Sequence, residues 1–230
     1  ERTSNPEKFG ALGFAYPPWS STEIKQIRET APELLKSNSV NSVFSVPGNL
    51  FLFDGNDITY KKGTFSYTTL IHELGHVLGL NHPHDLPVKM NGVSSNDDVG
   101  TYGANINPIT VMGYKLGSPY TPGDDYHGLD VSDTGFASTF GPLDIAALQF
   151  LYGRSTSHNN GDTIYKFPTD DTSTHFWESI FDTNGEDTVD ASHLNLNVVI
   201  DLHDSSIAKN THLAGVNISR ISNKLFGGFT

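Results

Sequence analysis

Residues 72–82 read His72-Glu73-Leu74-Gly75-His76-Val77-Leu78-Gly79-Leu80-Asn81-His82. Each fixed position of this H-E-x-x-H-x-x-G-x-x-H pattern has its own physical task. Residues four apart on a helix share a face, so His72 and His76 point their imidazoles toward one metal ion. Glu73 projects beside that face, within reach of a water on the metal but not of the metal itself. Gly79 ends the helix in a turn that needs positive φ, and this turn returns His82 as a third nitrogen donor. Three imidazoles leave one coordination position open, the arrangement of a catalytic zinc rather than a structural one. The flanking residues agree. Leu70, Ile71, Leu74, Val77 and Leu78 repeat with a helical period over 67–80, and Thr64 and Ser66 offer capping oxygens before it.

Downstream stands Thr110-Val111-Met112-Gly113-Tyr114, with Met112 thirty residues after His82 and one of only two methionines in the chain. Together the two segments resemble the metzincin zinc proteases, in which a tight turn carrying a methionine lies beneath a three-histidine site. Three details narrow the resemblance to the serralysins, which are secreted bacterial zinc endopeptidases. His82 is followed by Pro83, where matrixins usually place Ser and astacins Glu. Tyr114 sits two residues after Met112, a spacing that matrixins lack. The stretch from Gly141-Pro142-Leu143-Asp144 to Leu151-Tyr152-Gly153 is similar to the helix that closes the serralysin catalytic domain.

The resemblance implies an α+β fold. A metzincin-type catalytic domain over residues 1–153 would have a twisted sheet, an active-site helix, a Met-turn and a C-terminal helix. The start of an all-β C-terminal domain would follow over 154–230. It implies zinc held by His72, His76 and His82, and structural roles for Gly79 and Met112. Glu73 would be general base to the attacking water. Tyr114 would be both a zinc ligand at rest and a hydrogen-bond donor to the oxyanion. Gly113 departs from the Ser that many serralysins carry, which removes a hydroxyl beside the site. Substrate is expected as an added antiparallel strand. One alignment places its edge partner at Gly13, Phe14 and Ala15; the other matches the strand, helix and strand of 12–46 to the family's opening units. His84, two residues past the third ligand, reads as a loop residue, with a stray metal binder as the lesser alternative; the other histidines, His127, His158, His175, His193, His203 and His212, show no paired spacing and read as surface or partly buried polar residues.

Beyond Arg154 the pattern turns to short strands, over 163–167, 176–181, 187–190 and 198–202. Two turn-rich segments there, 159–163 and 182–187, match serralysin segments that bind calcium. The implied ligands are Asn159, Gly161, Thr163, Asp182, Asn184 and Asp187, which supply the oxygens a calcium shell needs. Upstream, the residues suggest a strand over 12–16, a helix over 22–37 kinked at Pro32, strands over 40–46 and 49–53, and a turn over 54–57. Only 71 residues precede His72, fewer than the resemblance implies, so the expectation is an abbreviated or truncated N-terminal sheet. Such an edge invites a partner chain or self-association. The nonapeptide repeats of the family are absent.

Composition limits the partners. The 230 residues carry a net charge of −12, with 36% hydrophobic and 17% charged residues, 22 Gly and 12 Pro, which describes a loop-rich globular chain. The acidic balance argues against nucleic-acid and anionic-membrane partners and suits calcium. With no cysteine there is no thiol nucleophile and no disulfide framework. No segment is apolar over the length of a membrane helix, and the polar residues 1–6 are not expected to act as a signal peptide. The resemblance to the serralysins implies a secreted, extracellular zinc endopeptidase acting on polypeptides. The alternative is a non-catalytic remnant that binds zinc and calcium as a recognition module.

Overall fold

The computed structural model describes residues 13–15, 48, 50–52, 59–87, 89–107, 109–115, 135–167, 175–203, 214, 216–221 and 228–230. The helix expected over 22–37, the strand over 40–46 and the turn over 54–57 lie outside these residues. Among the described residues helices and strands are mixed, and no helix is long and apolar enough to cross a membrane.

Strand β1 (Gly13–Ala15) pairs antiparallel with β2 (Leu50–Leu52). Helix α1 (Phe65–Val77) begins where Thr64, in extended conformation, accepts a hydrogen bond from the Tyr67 N–H at 3.3 Å. Thr64 rather than Ser66 is therefore the cap. The helix ends in a Schellman turn: the Leu80 N–H donates to the Gly75 carbonyl at 2.9 Å, and the Gly79 N–H to the His76 carbonyl at 2.9 Å. Gly79 has φ 93°, which a side chain would strain. Helix α2 (Pro142–Tyr152) opens on Gly141, with proline in its first turn, and closes at Gly153.

Seven short strands complete the description. They are β3 (Phe136–Ala137), β4 (Ile164–Lys166), β5 (Phe176–Glu178), β6 (Thr188–Asp190), β7 (Val198–Val199), β8 (Ser219–Ile221) and β9 (Gly228–Phe229). Five form a sheet of order β3-β5-β9-β8-β7, and β4 and β6 form a parallel pair. Within the larger sheet β5 runs parallel to both β3 and β9, while β9–β8 and β8–β7 are antiparallel. Strand β3 precedes α2 in sequence, so this sheet draws on both sides of residue 153.

Ile71, Leu80, Val111, Met112 and Ala137 form one buried cluster, closed by Tyr67, Phe140, Ala147 and Leu148. It gathers α1, the segment around Met112, β3 and α2 about one point. Each large side chain buried there contributes about 1.5–3 kcal/mol. The Thr68 hydroxyl adds a buried hydrogen bond to the Ala137 carbonyl at 2.6 Å. A second cluster sets Ile106 and Ile109 against Val216, and Phe167 with Phe229 centres a third.

Candidate active site

The helical spacing sets His72 and His76 on one face of α1, and the Schellman turn carries His82 back to them. Their Nε2 atoms form a small triangle: 3.2 Å from His72 to His82, 3.2 Å from His76 to His72, and 3.0 Å from His76 to His82. The other ring nitrogens decide the protonation state. His72 Nδ1 donates to the Val111 carbonyl at 2.7 Å, and His76 Nδ1 to the Leu80 carbonyl at 2.8 Å. Carbonyls only accept, so both protons sit on Nδ1. His82 Nδ1 lies 2.9 Å from Asp85 Oδ2. Burial opposes ionisation of Asp85, but the His82 backbone N–H and ring hold its pKa below the ordinary value, so this oxygen accepts too.

Burial disfavours the charged form of all three rings, pulling His72 down to about 4 against its bond to Val111, and lowering His76 and His82 as well. Three neutral imidazoles therefore aim three unprotonated Nε2 atoms at one point, that of His82 also being approached by the Tyr114 hydroxyl. Without a cation that arrangement is repulsive. Tetrahedral nitrogen ligands at about 2.0–2.1 Å from zinc would stand about 3.3 Å apart, so the donor set fits such an ion. Each ring's outer nitrogen is already anchored, as in known metal-binding histidines.

Glu73 follows His72 on the helix and is 7% exposed. Burial raises its pKa to about 7, opposed by the Ala15 backbone N–H of β1. A carboxyl so placed exchanges protons near neutral pH. The Tyr114 hydroxyl reaches His82 Nε2 at 2.7 Å while the residue stays 49% exposed. Burial, and then the charges of Glu73 and Asp85, raise its pKa, so the phenol is protonated at neutral pH. Met112 is buried beneath the helix; a Cβ on Gly75 would meet its Sδ at 2.4 Å.

No family model matches the chain. It is 36% identical over 147 residues to serralysin G of Dickeya chrysanthemi, across 60% of this chain and 28% of that protein. It is 34% identical over 188 residues to metallopeptidase AprA of Pseudomonas marginalis, across 75% and 37%. With a serralysin of Photorhabdus laumondii it shares 29% identity over 224 residues, across 92% and 40%. The chain is serralysin-like. It spans between 28% and 40% of the length of these three curated relatives.

Around the serralysin-like triad the structure adds residues that the sequence reading passed over. Asp144 of α2 is 3% exposed. Its carboxylate accepts from the Gly141 N–H at 2.9 Å, the Val111 N–H at 2.8 Å and the Thr110 hydroxyl. It thereby fixes the segment whose Val111 carbonyl orients His72. Burial raises its pKa to about 6, against those three hydrogen bonds. Asn105 is wholly buried, donates from Nδ2 to the Asp98 carbonyl at 2.6 Å, and has an unpartnered Oδ1. A Cβ on Gly113 would lie 2.1 Å from that Oδ1. Asn105 thus fills the space a serine side chain at 113 would need, which explains glycine there. His84, read from sequence as a loop residue, does lie in a turn, but its ring packs on His82 and Tyr114.

The two candidate calcium segments meet. Thr163 N–H donates to Asp187 Oδ1 at 3.0 Å and its hydroxyl to the Gly161 carbonyl at 2.9 Å. A Cβ on Gly185 would stand 2.6 Å from that carbonyl oxygen, so the turns touch. Asp182 accepts from Asn184 N–H at 3.0 Å and from the Tyr165 hydroxyl, while Asn159 Nδ2 donates to that same hydroxyl at 3.0 Å. Gly13, Phe14 and Ala15 form β1, with Ala15 beside Glu73.

Proposed function

We propose that the chain is the catalytic part of a secreted zinc endopeptidase of the metzincin type, hydrolysing polypeptides. One observation carries the reading: three proton-free Nε2 atoms converge within 3.2 Å beside a buried glutamate. His72, His76 and His82 would hold zinc, with Tyr114 close enough to join them. Zinc bound there supplies a Lewis acid that polarises the scissile carbonyl and acidifies a water.

The chain's own residues do the rest. Glu73 takes a proton from the attacking water and passes it to the leaving amine, a cycle suited to a carboxyl with a pKa of about 7. Tyr114 keeps its proton and donates it in a hydrogen bond to the developing oxyanion. Met112 packs beneath the helix that carries the imidazoles, against Gly75, the residue before His76. Substrate extends along Gly13, Phe14 and Ala15 as an added antiparallel strand. The closeness of Ala15 to Glu73 supports this placement.

We read residues 1–153 as the catalytic unit and 154–230 as a β-rich segment joined to it through the β3–β5 pairing. The touching turns around Asp182 and Asp187 support a calcium ion that would pin the second unit. The test is hydrolysis of quenched fluorescent casein by the chain supplied with zinc and calcium. Chelator-sensitive cleavage is expected. Bound zinc without any cleavage would favour the recognition-module reading.

A further inference from the structure

His84 lies two residues beyond the third imidazole, and the proteolytic reading gives it no task. Its ring is stacked on His82, with centroids 5.1 Å apart and planes 18° off parallel, and it tilts against Tyr114 at 5.4 Å. Its Nδ1 is buried and has no hydrogen-bond partner. An unpartnered buried polar atom costs about 1–3 kcal/mol unless something answers it. Nearby, Asp85 uses only Oδ2, which accepts from the His82 backbone N–H at 3.0 Å and from His82 Nδ1 at 2.9 Å. Its Oδ1 has no partner among the described residues. His82, His84 and Asp85 each offer a ligand atom, and all three atoms lie within 4.8 Å of one another.

We propose that His84 and Asp85 form a second divalent-cation site beside the triad, filled by zinc in excess, and that its occupancy inhibits the enzyme. Imidazole nitrogen and carboxylate oxygen are both good zinc donors. His82 adds little to this second site, because its Nε2 faces the triad and its Nδ1–H is committed to Asp85. Two protein ligands against three make the new site weaker than the triad, so it fills second. The Asp85 carboxylate, bonded to the outer nitrogen of His82 at 2.9 Å, brings negative charge to the side of His82 where the second cation would sit.

Inhibition follows from location. A cation on Asp85 withdraws charge from the hydrogen bond that orients His82. It also sits against the ring of Tyr114, the half-exposed residue given to the oxyanion. The proposal rests on the zinc reading of the triad, and the experiment separates the two.

The experiment is equilibrium dialysis of the full chain against Zn²⁺ alone, with casein hydrolysis followed over the same zinc range. His84→Phe keeps a ring to stack on His82 but removes both nitrogens; His84→Ala removes the ring as well. Wild type is expected to bind one tight and one weaker zinc, with hydrolysis falling as the weaker one fills. Both variants are expected to keep the tight zinc and weaken the second by at least about tenfold. They should also escape the inhibition. A single zinc in wild type, or a second zinc unchanged in His84→Phe, overturns the proposal. Failure of the triad reading looks different: no protein of the three would hold the tight ion, and the second site would lose its premise with it.

Discussion

Replacing Gly113 by alanine tests how the floor of the site is built. The added Cβ would stand 2.1 Å from Asn105 Oδ1, whereas ordinary contact begins at 3.4 Å, so one side must give by about 1.3 Å. Asn105 is poorly placed to yield. It is wholly buried, its Nδ2 is tied to the Asp98 carbonyl, and its backbone N–H is tied to the Val99 carbonyl at 2.8 Å. Overpacking of this kind costs about 1–3 kcal/mol. Asn105→Ala alone loses one hydrogen bond, about 1 kcal/mol, but also removes a buried acceptor that has no partner. In the double variant the clash is gone, so Gly113→Ala should add almost nothing to Asn105→Ala. Urea unfolding of the zinc-supplied single and double variants measures the coupling, expected at about 1–3 kcal/mol in favour of the double. Hydrolysis should follow the same pattern, because Tyr114 is the next residue. If the loss from Gly113→Ala is the same in both backgrounds, within about 0.5 kcal/mol, the proposed packing of Asn105 on residue 113 is wrong.

Further outcomes follow from the same geometry. Asp144 has a folded pKa of about 6 against 3.8 for the free group, so between those values the native chain holds a proton that the unfolded chain has lost. Its contribution to stability is greatest below 3.8 and fades as pH rises through 6. Against Asp144→Asn, the wild-type stability advantage should shrink by about 3 kcal/mol between pH 3.5 and pH 7 in denaturant titrations. Tyr114→Phe should lower kcat by about a hundredfold while KM and zinc content change little, since an oxyanion donor acts only in the transition state. Calcium should raise the thermal unfolding midpoint of wild type but not of Asp187→Asn, as scanning calorimetry would register.

What could be read from the residues alone had a local cause. The 3.6-residue period, a threonine before it and a glycine after it locate α1 within three residues at either end. Pro142 and Gly153 bracket α2 in the same way. The strands near 164, 176, 188 and 198 carry enough β-branched and aromatic residues to be seen. Their order could not be, because β5 runs parallel between β3 and β9, partners some forty and fifty positions away in sequence. At two residues, β3 is too short to carry any alternation at all. The same divide runs through the site. Fixed spacing marked His72, Glu73, His76 and His82, and the structure brings these residues together. Asp144, Asn105 and His84 have no spacing rule; they matter through what folding places beside them. Asp144 was visible as a residue of the closing helix, but its hold on Val111 depends on α2 packing against the Met112 segment.

The most direct test of the account is Glu73→Ala, with bound zinc and casein hydrolysis measured on the same sample. In the proposed function the glutamate moves protons and does not bind the metal. The account predicts that zinc stays at the wild-type level while cleavage falls by about two to four orders of magnitude. Cleavage unchanged, with zinc still bound, would contradict it.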